Sequence, residues 1–248
     1  MGLKNFCGKF ISFIKNHYGV LSVILLAVVC FIGIFGYKAL DIYNYKVALR
    51  SSNYFLSYFS PEDINTHYLG SIFYRFDDFH LRIFFSQNLV YPFGTSVLNT
   101  DSIPLFALVF KILYKFFGLS PYTQYFGIWI LLCMILQGIF GYKIARILNL
   151  NTVNSIIASL FLILSPIALT RAFEHTALTA HFFILASIYL YLIGYQKFRH
   201  EIYWTGLFMG VFLTQPNFFP IVFAVFCADF CKKLFITKEY DIKVFFVF

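Results

Sequence analysis

The chain has 248 residues and a mass of 28.9 kDa, with 60% hydrophobic and only 12% charged residues. Soluble domains average about 25% charged residues, so a mean hydropathy of +0.76 excludes an ordinary water-soluble globule. The 35 Phe and 18 Tyr exclude disorder as the bulk state, and the net charge of +8 reads as Lys and Arg flanking membrane spans rather than as a nucleic-acid footprint.

Residues 18–37 form the first uncharged apolar run, about 20 residues, enough to cross a ~30 Å hydrocarbon core. Lys4, Lys9 and Lys15 precede it with no acid, and no small-residue cleavage site follows at Lys38-Ala39-Leu40-Asp41. The run therefore reads as an uncleaved anchor with its N-terminus in the cytoplasm. Further apolar runs cover residues 122–142, 153–169, 176–195, 202–214 and 218–230. The last two are short and read as a tight helical pair bent at Gln215-Pro216-Asn217, with Gly206 and Gly210 giving a small-xxx-small pattern for close helix contact. Cys7, Cys30, Cys133, Cys227 and Cys231 are scattered through apolar sequence and match neither a disulfide framework nor a zinc motif.

Residues 103–117 decide the topology. As a helix they reach only about 22 Å, short of a span, and Lys111 and Lys115 fall one turn apart on one face. Asp101 or Ser102 can cap the start, with Pro104 in the first turn. An amphipathic helix lying in the interface fits better than a crossing. Lys143, Arg146, Lys197, Arg199, Lys232, Lys233 and Lys238 then share a side with the N-terminal lysines, as the positive-inside tendency requires. The expectation is an all-α integral membrane protein with six spans, and a possible seventh opening at Val244. Residues 1–248 form one membrane domain, and residues 38–121 form a long outer loop carrying juxtamembrane helices. The last residues, Lys243 to Phe248, read as the first turns of another membrane helix, so a piece of a longer parent is expected.

With this topology three polar clusters meet on the outer face. The first runs from Ser60 through Glu62, Asp63 and His67 to Arg75, Asp77, Asp78, His80 and Arg82. The second is Asn99-Thr100-Asp101-Ser102, and the third is Arg171 with Glu174, His175 and His181. Each has a plain reading. Ser60-x-x-Asp63 resembles a capping box, Asp101 suits a helix N-cap, and Asp77 and Asp78 beside Arg75 and Arg82 suit a solvated loop. Arg171 and His175 suit headgroup anchors. His181 falls deeper along the apolar run, where an ionisable side chain is expensive and usually faces a polar cavity. Asp63, His67 and Asp101 offer ligand types that divalent cations accept, but no tight motif fixes them and no residue is assigned to a metal. Nucleotide-binding and nucleophile-elbow motifs are absent.

Three stretches carry a resemblance: Asp63-x-x-x-His67-Tyr68-Leu69-Gly70, Tyr91-x-x-Gly94-x-Ser96-x-x-x-Thr100-Asp101-Ser102-Ile103-Pro104-Leu105, and Arg171-x-x-x-His175-Thr176-Ala177-Leu178-x-Ala180-His181. They resemble a bacterial family, domain of unknown function 6311, over roughly residues 63–231. That family is itself similar to GT-C-fold membrane glycosyltransferases. The resemblance implies transfer of a sugar from a polyprenyl-phosphate donor to a glycan or lipid acceptor at the outer face of the cytoplasmic membrane. It implies Asp63 as the acidic residue of the first outer loop, acting as general base or orienting the acceptor. His67, Arg75, Asp101, Lys111, Lys115, Arg171, His175 and His181 are the candidate substrate-binding residues, with Arg171, Lys111 or Lys115 offering the cationic donors that the phosphate leaving group needs. No cofactor is required by the sequence, a divalent metal being an open possibility. The competing class is a non-enzymatic multispan protein, a transporter or polysaccharide-assembly subunit. Inverted repeats or several charges at mid-membrane, which a transporter would show, are not evident.

Overall fold

The computed structural model describes residues 2–44, 61–194 and 198–237, the side chains of residues 2–16, 61–65, 198 and 237 excepted. Nine α-helices carry these residues: α1 (Gly2–Phe35), α2 (Pro61–Phe76), α3 (Pro104–Phe117), α4 (Phe126–Ile147), α5 (Thr152–Ile163), α6 (Pro166–Glu174), α7 (Phe182–Ile193), α8 (Phe198–Thr214) and α9 (Phe219–Cys231). The all-α expectation needs one correction. A two-stranded antiparallel ribbon, β1 (Phe85–Ser86) with β2 (Thr95–Ser96), pairs Phe85 with Ser96 and Ser86 with Thr95 in the long loop.

Among the described residues, four stretches are long and apolar enough to cross a membrane: His17–Phe35, Phe126–Ile147, Thr152–Glu174 and Thr176–Ile193. They coincide with the first four of the expected spans. The pair α8 and α9 is shorter, and the start of a seventh span at Val244 lies outside the described residues. The chain turns away from α1 at Gly36, whose φ of 77° suits only glycine without strain. The run 122–142 becomes helical only from Phe126, because the residues before it are used as anchors. Gln124 donates through its side chain to the Ala39 carbonyl at 3.0 Å and the Asp41 carbonyl at 2.8 Å. The run 153–169 is broken where Pro166, which cannot continue a hydrogen-bonded helix, starts α6 at its first turn.

Helix α4 is the hub, packing on α1, α5 and α7. In lipid, helices gain little from leaving water, so close van der Waals approach decides the packing. Gly138 of α4 supplies it: a Cβ there would lie 2.7 Å from Val23 of α1 and 2.8 Å from Ile163 of α5. At the other side Phe106 of α3 meets the Trp129 ring edge-on at 5.4 Å, and Phe110 meets Tyr125 at 5.0 Å. This fastens the long loop to the bundle.

Helices α2 and α3 pack against one another. Arg75 is fully buried in α2, and its guanidinium donates to the carbonyls of Pro121 (2.6 Å) and Thr123 (2.8 Å) and to the Thr123 hydroxyl (3.0 Å). Lys111 is equally buried; it donates to the Asp78 carbonyl at 2.8 Å and lies 4.1 Å from the centre of the Tyr74 ring. Burial pushes its ammonium down to about 8, with Asp77 opposing. The solvated-loop reading of Asp77 is corrected as well. It is buried and accepts from the amides of Gln87 (2.6 Å) and Asp78 (2.9 Å), with the His80 ring at 3.1 Å. Burial alone would raise its pKa; the Gln87 amide, Ser86 and His80 outweigh that and hold it below the usual carboxylate range. Asp78 and Arg82 stay exposed, Asp78 paired with Lys115 at 3.0 Å.

Candidate functional site

Four chain segments meet at one place. The first is α2, which presents His67 with its side chain almost completely buried. The second is the turn Thr100-Asp101-Ser102, which closes a short 3-10 segment (Val97–Thr100) and leads into α3. Glycine at position 70, one turn after His67, lets this turn approach the helix: a Cβ there would lie 2.8 Å from the Ser102 hydroxyl oxygen and from the Thr100 Cβ. The Ser102 hydroxyl then donates to the His67 carbonyl at 2.6 Å, and the Thr100 hydroxyl lies 2.7 Å from that of Ser102. The Tyr125 hydroxyl donates to the Ser102 carbonyl. Position 101 is therefore bolted directly beside His67.

Asp101 does not cap a helix, contrary to the plainer sequence reading. Helix α3 begins at Pro104, with Ile103 in the N-cap position and no side-chain cap, and Asp101 itself is in the left-handed region with φ 51°. Ile103 shares that φ, an unusual conformation for a β-branched residue. Freed from capping, the Asp101 carboxylate turns toward the third and fourth segments. Its Oδ1 accepts from Gln215 Nε2 at 3.0 Å, and its Oδ2 lies 3.9 Å from His67 Nε2.

The third segment is the end of α6. Its last turn carries Arg171 and Glu174, both half-buried, and His175 closes the helix with its amide on the Arg171 carbonyl at 2.9 Å. The His175 and His67 rings stand 6.0 Å apart. One ligand-type atom from each of His67, Asp101 and His175 lies within 4.8 Å of the others. These are a helix, a turn and a helix end separated by 34 and 74 residues in sequence.

The fourth segment is the tip between α8 and α9, from which Gln215 reaches Asp101. Sequence reasoning took Gln215-Pro216-Asn217 only as a bend. The available signal was a pair of carboxamides, Gln215 and Asn217, between two apolar runs, where a polar side chain needs a partner.

The structure does not bring all the candidate residues to this group. Arg75 is committed to the Pro121 and Thr123 segment before α4, Lys111 to the Asp78 carbonyl, and Lys115 to the Asp78 carboxylate. His181 is not in one continuous helix with His175, as the sequence spacing implied; a 3-10 turn (Thr176–Thr179) separates them, and His181 precedes α7. Its ring meets Phe218 edge-on at 5.5 Å and borders a separate cavity of about 230 Å³ with Gln137, Ser165 and Leu162. The backbone of Asp63 lies in the first turn of α2, four residues before His67, but its side chain lies outside the described residues.

Two imidazoles and a partly exposed carboxylate can exchange protons, accept hydrogen bonds from a hydroxyl-rich ligand, or hold a cation. Neither the curated proteins nor the solved structures include a significant match to the chain. A family profile does match, over residues 24–248, most of the chain and all of the site. The chain belongs to the family described as domain of unknown function (DUF6311).

Proposed function

We propose that the protein is a membrane glycosyltransferase that moves a sugar from a polyprenyl-phosphate donor to a glycan or lipid acceptor at the outer face of the bacterial cytoplasmic membrane. In this reading the short pair α8 and α9 completes six spans of a GT-C-like arrangement, the N-terminus is cytoplasmic, and α3 lies in the interface. One observation carries the proposal: His67, Asp101 and His175, from three distant segments, converge at the junction of the long loop with the apolar bundle. A lipid-linked donor keeps its reacting phosphate at headgroup depth, so its enzyme needs a polar site at the end of its spans rather than in the middle.

The roles follow from the chemistry of transfer. A carboxylate must take the acceptor hydroxyl's proton, and Asp63, one helical turn before His67 in α2, is the proposed base. Asp101, His67 and His175 orient the hydroxyl-rich sugar, and Arg171, one turn before His175, faces the leaving phosphate. His181 serves the same donor from the start of α7. Arg75, Lys111 and Lys115 hold the loop in place.

The test is turnover of a panel of radiolabelled polyprenyl-phosphate hexoses by the full-length protein in liposomes, read as release of polyprenyl phosphate. Turnover of at least one donor is expected. Asp63→Asn should reduce it by about 10²–10⁴-fold, the usual worth of a general base, with membrane insertion intact. No turnover across the panel would reject the transferase reading, and unchanged turnover in Asp63→Asn would reject the assigned base.

A further inference from the structure

We propose that His67, Asp101 and His175 form a binding site for a single first-row divalent cation of borderline softness, of the zinc or cobalt kind, with at least one coordination position left for an outside ligand. The inference is independent of sugar transfer and stands or falls on the chemistry of the three side chains.

The donor set comes first. Two imidazoles with one carboxylate suit zinc and its first-row neighbours, whereas magnesium and calcium prefer all-oxygen sets. The geometry is nearly formed. With all three atoms within 4.8 Å of one another, some point lies no farther than about 2.8 Å from each of them. Zinc bonds to nitrogen and oxygen run about 2.0–2.2 Å, so closure needs side-chain shifts of under about 1 Å. The 3.9 Å between His67 Nε2 and Asp101 Oδ2 is longer than a direct hydrogen bond and close to the ligand–ligand edge of a tetrahedral site, about 3.4 Å.

The surroundings are those of a ligand set rather than of a chance encounter. Metal-binding carboxylates are themselves hydrogen-bonded, which fixes the oxygen they offer. Gln215 holds Asp101 Oδ1 at 3.0 Å and leaves Oδ2 on the side of His67. The turn carrying Asp101 is tied to the backbone of His67 itself through Ser102. Three ligands leave a tetrahedral ion one position short, and the side chain of Asp101 is one-third exposed, so that position is open to a water or an anionic oxygen.

The experiment is equilibrium titration of chelator-stripped, detergent-purified protein with Zn²⁺, Co²⁺ and Mg²⁺ separately, with metal content per chain measured after desalting. One Zn²⁺ per chain is expected, one Co²⁺ with the intense visible bands of low coordination, and Mg²⁺ affinity at least a hundredfold weaker. Asp101→Asn and His175→Ala should each lose the retained ion. Gln215→Ala, which removes no ligand, should weaken binding about 10- to 100-fold in protein whose thermal unfolding shows that it is folded. His80→Ala, away from the group, should leave metal retention unchanged. Zinc retained equally by Asp101→Asn and His175→Ala would show adventitious surface binding and overturn the proposal. So would no retention by the unmodified protein, Mg²⁺ bound as tightly as Zn²⁺, or Gln215→Ala indistinguishable from the unmodified protein.

Discussion

Replacing Gly70 by Ala tests the geometry that creates the site. In an unobstructed helix interior the change is favourable by about 1 kcal/mol, because alanine loses less backbone entropy. Here the new Cβ would lie 2.8 Å from both Ser102 Oγ and Thr100 Cβ and 2.9 Å from Thr100 Oγ1, whereas ordinary contact begins near 3.4 Å. The turn must therefore retreat by roughly 0.6 Å. Neither hydroxyl is the loose end of a long side chain: Ser102 Oγ is bonded to the His67 carbonyl and Thr100 Oγ1 to the Val97 carbonyl at 2.8 Å. Overpacking of this kind costs about 1–3 kcal/mol, and two strained hydrogen bonds add about 0.5–1.5 kcal/mol each. After the helix gain, a net loss of about 1–5 kcal/mol remains. In a chain of this length that lowers Tm by roughly 2–4 °C for each kcal/mol. Thermal unfolding in detergent, followed by intrinsic fluorescence, reads the shift. Gly206→Ala in α8, where a Cβ meets nothing within 4 Å, is the control and should not lower Tm. If Gly70→Ala matched that control, the Thr100–Ser102 turn would not be seated on α2 and the site as described would not exist.

Two further predictions concern the buried cations of the long loop. Arg75→Met should cost about 3 kcal/mol or more, because it strands the Pro121 and Thr123 acceptors at about 1–3 kcal/mol each, and Arg75→Lys should recover only part of it, lacking the planar fork. An Arg75→Met protein with unchanged Tm would return Arg75 to the ligand-binding candidates. Lys111, held near 8 by burial, makes stability depend on pH. Between pH 8 and the ordinary lysine value of about 10.4 the unfolded chain keeps a proton that the folded chain has lost, so stability rises with pH across that window, by at most about 3 kcal/mol at 1.36 kcal/mol per pH unit. The difference in Tm between the native protein and Lys111→Met should therefore shift in favour of the native protein from pH 7.5 to 9.5; parallel profiles would refute it.

Much of the fold was legible because lipid imposes a simple code. A helix must be long and apolar to cross, so the runs beginning near residues 18, 122, 153 and 176 stand out by length and hydropathy. The boundaries were less legible. Gly36 and Pro166 end or break runs that composition alone extends, and Gln124 diverts the start of α4 into an anchor for the Ala39 and Asp41 carbonyls. The roles of the charged loop residues were misjudged for one reason: exposure cannot be read from charge. In sequence Arg75 and Asp77 read as parts of a solvated loop and Lys111 as the charged face of an interfacial helix; all three are buried with their partners in the fold.

The sequence by itself determined that the chain is apolar helix, where its punctuation falls, and which side chains carry chemistry, since those are properties of residues and their near neighbours. Only the tertiary structure decided that His67, Asp101 and His175 form one group, that Asp101 serves the group instead of a helix end, and that Gln215 joins it while Lys111 does not. The reason is that such proximity depends on which surfaces of different helices approach most closely. At this site that rests on the missing side chain of Gly70 and the hydrogen bonds it permits, a contact between residues about thirty positions apart that no local pattern encodes.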